Sequence, residues 1–183
     1  MLLLTLRGTP TLYQGDELGL SEVEITPDRQ VDPWGLQAPG LGRDGCRTPM
    51  PWGASLNAGF TEGEPWLPLG PEAKTRHVAA QVDDPASVLN LYRTLLRYRR
   101  EMPSLHRGSY RRMMAPDGVF AYRREASGSP AVDVVLNCTS EQREIDIVGE
   151  IVLSTEMDRS ERRVGGGLVL QPKEGIVVVR PAG

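Results

Sequence analysis

The rhythm of apolar and polar positions changes several times along the 183 residues of this chain. It opens on an apolar run, Met1-Leu-Leu-Leu-Thr-Leu6, with no cap and no amphipathic turn before it. Residues 1–7 therefore read as the last turns of a helix whose start lies outside the sequence, stopped by Gly8. Thr11 to Gln14 is a short β-type run between Pro10 and Gly15. It predicts a buried strand that delivers Gln14, Asp16 and Glu17 to its C-terminal end. Ser21 to Leu41 has no helical or strand period and alternates acids, prolines and glycines around Trp34, so it reads as a long functional or disordered loop. Gly53 to Gln81 stays irregular, with Phe60, Trp66, Leu67 and Leu69 as expected anchors.

A helical period follows. Val88, Leu91, Tyr92, Leu95, Leu96 and Arg99 step at helical spacing, with Asp84 as the expected N-cap, Pro85 at the first helical position and Pro103 ending the helix near Met102. After Leu105 the period shortens to two. The expected strands are Ser109–Met114, Val119–Arg124, Val132–Cys138, Arg143–Ile147, Ile151–Ser154, Gly167–Leu170 and Ile176–Arg180, separated by turn signals such as Pro116-Asp-Gly118 and Gly165-Gly-Gly167. Seven short strands at that spacing predict an antiparallel sandwich, with a domain boundary near Arg107.

Composition and the opening run add four constraints. Twenty Gly and fifteen Pro, most of the latter before Pro85, make the first half loop-rich. A net charge of −3 supplies no basic field, which argues against a nucleic-acid partner. The opening apolar run is too short for a signal peptide or a membrane span. Cys46 and Cys138 lie far apart in sequence, which fits unpaired thiols and a cytoplasmic setting rather than a disulfide framework.

The candidate chemistry sits in Gly42-Arg-Asp-Gly-Cys-Arg-Thr-Pro-Met-Pro-Trp52. Arg43 and Arg47 put two forked donors, and Asp44 a carboxylate, on a backbone fixed by Gly45, Pro49 and Pro51, which suits a hydroxyl-rich or anionic ligand. Arg47 has a structural alternative, pairing with Asp44 or Glu17 under the loop. Glu17 is either a further site residue or an ion pair, and Gln14 and Asp16 rank below it. His77 and His106 have no partner spacing for a metal or a triad and read as surface or interdomain residues. Trp34, Trp52 and Trp66 either stack on a ligand or anchor their loops. No metal cluster, phosphate loop or calcium loop is visible, so no cofactor is expected.

Taken in order, residues 6 to 20 (Leu-Arg-Gly-Thr-Pro-Thr-Leu-Tyr-Gln-Gly-Asp-Glu-Leu-Gly-Leu), residues 42 to 52, Gly59-Phe-Thr61 and the helix with Leu91-Tyr-Arg-Thr-Leu-Leu-Arg-Tyr-Arg99 resemble the C-terminal part of α-glucosidases of the α-amylase superfamily. The resemblance implies the fold class: an α/β barrel remnant, comprising the last strand and helix of a TIM barrel in residues 1–107, then an all-β antiparallel sandwich in residues 108–183. It also implies a retaining glucosidase whose catalytic carboxylates follow earlier barrel strands and so lie upstream of Met1, leaving no catalytic residue in this chain. Arg43 matches the arginine of the family's Gly-Arg-Asp segment, which reaches the hydroxyls of the non-reducing glucose. Arg47, Glu17 and Gln14 complete the expected substrate-binding set.

The expected partners are an α-glucoside oligosaccharide and the missing N-terminal barrel portion, with a homo-oligomer also expected and no nucleic acid or membrane. Two other readings stay open: a non-catalytic β-domain module used for binding or assembly, and a transglycosylating relative such as a trehalose or isomaltulose synthase.

Overall fold

A computed structural model describes residues 1–38, 40–157, 159 and 162–181. Its α-helices are α1 (Leu2–Thr5), α2 (Pro33–Gln37), α3 (Val78–Gln81), α4 (Val88–Glu101) and α5 (Pro103–Arg107). Its strands are β1 (Ser109–Arg112), β2 (Val119–Glu125), β3 (Val132–Asn137), β4 (Arg143–Ser154), β5 (Arg163–Leu170) and β6 (Gly175–Val179). Short 3-10 turns punctuate the first half. The chain forms two compact units, Met1–Thr11 with Leu91–Gly183, and Leu12–Asn90.

In the first unit the six strands make one antiparallel sheet in the order β1-β2-β3-β6-β4-β5. The period-two pattern sorts its side chains between two apolar clusters. Ala121, Val135, Ile176 and Val178 pack with Ile145, Ile147, Ile151, Val164, Leu168 and Leu170 from β4 and β5. Tyr122, Val132, Val134 and Val177 pack instead with Leu4 of α1, Leu95 of α4 and Leu105 of α5. Full burial of a residue such as Leu95 contributes about 2 kcal/mol.

Two of the seven expected strands are one. Arg143–Ile147 and Ile151–Ser154 are the ends of β4, which pairs with β5 through its first half and with β6 through its second. The change of partner occurs at Gly149, whose φ is 152° and where a Cβ would collide with the Val179 carbonyl oxygen; a register shift follows between Ile151 and Leu153. The gap expected between the two strands is therefore a bend inside one strand at Gly149. Residues 113–114 lie beyond the end of β1.

The helix also starts later than expected. Asp84 Oδ1 accepts the Ala86 N–H at 2.9 Å, within a turn. Ser87 Oγ accepts the Asn90 N–H at 3.2 Å and donates to the Gln81 carbonyl at 2.8 Å, so Ser87 caps α4. Gln81 Oε1 takes the N–H of Leu89 at 3.0 Å. This local web decides where the helix begins.

Among the described residues, Leu12–Asn90 contains no strand. The expected strand Thr11–Gln14 has no ladder, because strand pairing needs a neighbour and no described segment offers one. Few apolar side chains are buried in this unit: Leu18, Ile25, Ala58, Leu67, Ala73 and Leu89. Polar contacts carry the rest of its order. His77, expected at a surface or between domains, is buried and caps α3, its Nδ1 accepting the Ala80 N–H at 3.0 Å. Trp34, Trp52 and Trp66, weighed as loop anchors, are 59%, 53% and 58% exposed. The anchor of that region is Leu67, at 0%.

Candidate functional site

Around residues 42–48 the backbone is a compact turn. Gly45 passes so close to Val23 that a Cβ would strike the Val23 carbonyl oxygen, and its own carbonyl accepts the Val23 N–H at 3.1 Å. Glycine is required there by contact rather than by a left-handed backbone. The Asp44 carboxylate faces inward, with Oδ2 accepting the N–H groups of Val31 (2.7 Å) and Asp32 (2.8 Å). Asp44 is therefore a backbone tie between the two loops. It is not a partner of Arg47.

The partner of both arginines is Asp32. Its side chain is fully buried, and Oδ2 accepts the Arg43 Nε–H at 2.8 Å and backbone N–H at 2.9 Å. Oδ1 accepts from Arg43 Nη2 at 3.1 Å and from the Trp34 N–H at 3.2 Å, which also makes Asp32 the N-cap of α2. Arg47 Nη1 lies 3.9 Å from Oδ2. The Arg43 guanidinium holds the Asp32 carboxyl well below the usual carboxylate range, and Asp32 in turn raises the pKa of Arg43. Half of the Arg43 side chain and two-fifths of the Arg47 side chain remain exposed. A guanidinium gripped on one edge and open on the other is a pre-aimed donor, able to bond vicinal hydroxyls.

Gln14 and Glu17 sit beside this turn in other roles. Gln14 Nε2 donates to the Thr48 carbonyl at 2.6 Å, tying residues 11–14 to the arginine loop. Glu17 Oε2 accepts the Gly15 N–H at 2.9 Å, a local turn contact in place of the expected ion pair. Asp16 Oδ2 does the same for the Tyr13 N–H at 2.9 Å. Partial desolvation, with the carboxylates of Glu22 and Asp16, pushes the pKa of the largely exposed Cys46 thiol up, away from the nucleophilic thiolate. A cavity of about 330 Å³ opens alongside, lined by Glu22–Ile25, Gln30, Gly42 and Asp44 among others. Among the described residues, no group of three or more His, Cys, Asp or Glu is placed to hold a metal ion.

The structure thus joins Arg43, Arg47 and Gln14 around one turn and gives Glu17 a separate task. Asp32 is the residue the sequence reading missed. Its only signal was the Asp-Pro pair ahead of Trp34, which announces a helix cap and says nothing of an arginine.

Comparison with known proteins supports the same assignment. The alpha amylase catalytic domain family matches residues 1–108. A probable alpha-glucosidase of Rhizobium meliloti is 40% identical over 142 residues, which is 76% of this chain and 26% of that protein. Maltase A1 of Drosophila melanogaster is 34% identical over 164 residues, 86% of this chain and 28% of its own length. Among solved structures, an alpha-glucosyl transfer enzyme, XgtA, superposes with a TM-score of 0.84 at 38% identity, covering 98% of this chain and 34% of that one. The trehalulose synthase MutB of Pseudomonas mesoacidophila gives 0.86 at 30% identity, over 97% and 36%. The chain spans about a quarter to a third of the length of these relatives. With over half of its residues matched by that family and a relative at 40% identity over three quarters of it, this chain belongs to the α-amylase catalytic-domain family.

Proposed function

We propose that the chain is the C-terminal portion of a retaining α-glucosidase that hydrolyses terminal α-linked glucose from maltose-like oligosaccharides. Residues 1–107 supply the end of its barrel and residues 108–183 its C-terminal β domain. In the retaining reaction one carboxylate attacks the anomeric carbon, while a second protonates the leaving oxygen and then activates water. Both belong to polypeptide preceding this chain, which is inactive alone and has that barrel portion as its partner.

The part left to this chain is positioning. Arg43 bonds ring hydroxyls of the terminal glucose and holds the anomeric carbon against the nucleophile. The observation that carries this role is the bidentate grip of buried Asp32 on an Arg43 that stays half exposed. Arg47 borders the same sugar. Gln14 and Glu17 support the site by holding the backbone beside it. The exposed rings of Trp34, Trp52 and Trp66 are available for stacking on further sugar units. The free, exposed thiols of Cys46 and Cys138 support a cytoplasmic setting. No described helix is long and apolar enough to cross a membrane.

A second reading, glucosyl transfer or isomerisation, draws on the two solved structures above, which carry the names of a transfer enzyme and a trehalulose synthase. Joining the chain to the preceding barrel segment of the Rhizobium meliloti relative tests both readings. The chimera is expected to release glucose from maltose and from a nitrophenyl α-glucoside, and Arg43→Ala to raise KM about tenfold or more with a smaller change in kcat. Chromatography of the products separates hydrolysis from transfer. A folded chimera that forms neither glucose nor a transfer product sinks the proposal.

A further inference from the structure

The first unit buries two arginines that have no acidic partner among the described residues. Arg124, at 0% exposure, donates from Nε to the Ser109 carbonyl (2.9 Å), from Nη1 to Thr5 (2.6 Å) and from Nη2 to Gly108 (3.1 Å). Arg99, also buried, donates from Nη1 to the carbonyls of Leu4 (3.0 Å) and Leu6 (2.9 Å) and from Nη2 to that of Gly8. These carbonyls accept three hydrogen bonds from each guanidinium. A carbonyl is a dipole without net charge, however, so two desolvated cations remain uncompensated. Burial lowers the pKa of Arg124, and the charges of Arg99 and Arg7 lower it further. Elsewhere in this unit buried ions are paired, Asp133 with Arg123 at 2.6 Å and Glu174 with Arg159 at 2.7 Å.

Beside Arg99 lies a cavity of about 450 Å³, lined also by Arg7, His106, Arg107 and the turn Gly8–Pro10. Four of its seven lining residues are basic and none is acidic. Arg7, His106 and Arg107 are exposed, and their side chains make no ion pair or hydrogen bond among the described residues. The N–H groups of Arg7, Gly8 and Thr9 have no protein acceptor among the described residues. The volume falls in the range of small-molecule sites.

We propose that this cavity binds a phosphoryl dianion, either inorganic phosphate or the phosphate end of a small phosphomonoester. Arg7 and Arg107 supply forked donors and His106 a third. Arg99, whose Nη1 and Nη2 are engaged by carbonyls, adds charge from beneath rather than a fork. No residue of the Asp32–Arg43 network takes part, so the inference stands apart from the sugar-site reading.

The test is isothermal titration of the 183-residue chain with inorganic phosphate, with ionic strength held constant by chloride. Saturable binding in the millimolar range or tighter is expected, weakened about tenfold or more by Arg7→Gln combined with Arg107→Gln. Arg97→Gln, an exposed arginine of α4 outside the cavity, should leave it unchanged. Circular dichroism checks that the double variant folds, and displacement of the His106 ring resonances by phosphate in the unaltered chain gives an independent readout. Tighter binding of glycerol phosphate than of phosphate identifies a phosphomonoester site, and equal binding a phosphate site. No saturable signal, unmoved His106 resonances, or equal weakening by Arg97→Gln overturns the proposal.

Discussion

A carboxylate eleven residues upstream of Arg43 decides what that arginine can do. Without Asp32 the guanidinium is a flexible surface cation. With it, two donors are fixed and the remaining edge points outward from a rigid grip. The same pair sets a pH dependence. Hydrogen bonding from Arg43 lowers the folded pKa of Asp32 despite opposing burial, so the unfolded chain binds the proton more readily. The stabilisation is complete above the unfolded carboxylate pKa of about 3.9 and is lost as pH falls through the folded value. Thermal unfolding followed from about pH 7 to about pH 2 should show this loss. Asp32→Asn should lower Tm at neutral pH and flatten the acid limb, and an unchanged limb would remove Asp32 from the account. Arg43 itself was legible from its motif. Its partner was not, because an ion pair between two turns leaves no period in the sequence.

At the scale of elements, a capping residue can be recognised by type while its position depends on contacts. Asp84-Pro85 has the right chemistry for a helix start, yet Ser87 holds the Asn90 N–H because Gln81 anchors the preceding turn. Ser87→Ala is expected to cost about 1 kcal/mol or more, since the buried hydroxyl also donates to the Gln81 carbonyl, and Asp84→Ala less. Urea denaturation monitored at 222 nm compares the two, and a larger loss for Asp84→Ala would restore the earlier start. β1, β2, β3 and β6 were legible to within two residues, because alternation follows directly from burial on two faces, whereas β5 begins at Arg163 and runs through the Gly165-Gly-Gly167 stretch read as a turn. The join within β4 was not, since a glycine can end a strand or bend one, and the choice rests on what lies across it at Val179.

On the scale of the molecule, residues 1–11 and 91–107 share a core with the sheet. Leu4, Leu95 and Leu105 fill the cluster containing Tyr122, Val132, Val134 and Val177, and the Thr5 hydroxyl lies 2.5 Å from that of Tyr122, whose pKa burial pushes up to about 12. The polypeptide 108–183, cut at the boundary proposed from the sequence, is therefore expected to unfold at lower urea than the polypeptide 91–183. Removal of buried leucines costs about 2–5 kcal/mol each. Equal midpoints would place the stabilising boundary at Arg107 after all.

The sequence by itself determined the antiparallel strands, the long helix, the loop-rich first half and the family, because periodicity and ordered motifs are local properties of the chain. Tertiary structure alone decided that Thr11–Gln14 makes no ladder, that Asp32 holds Arg43, that three tryptophans face solvent and that two buried arginines have no acid beside them among the described residues. Each of these depends on which distant group comes within a few ångströms, and short-range patterns do not encode that proximity.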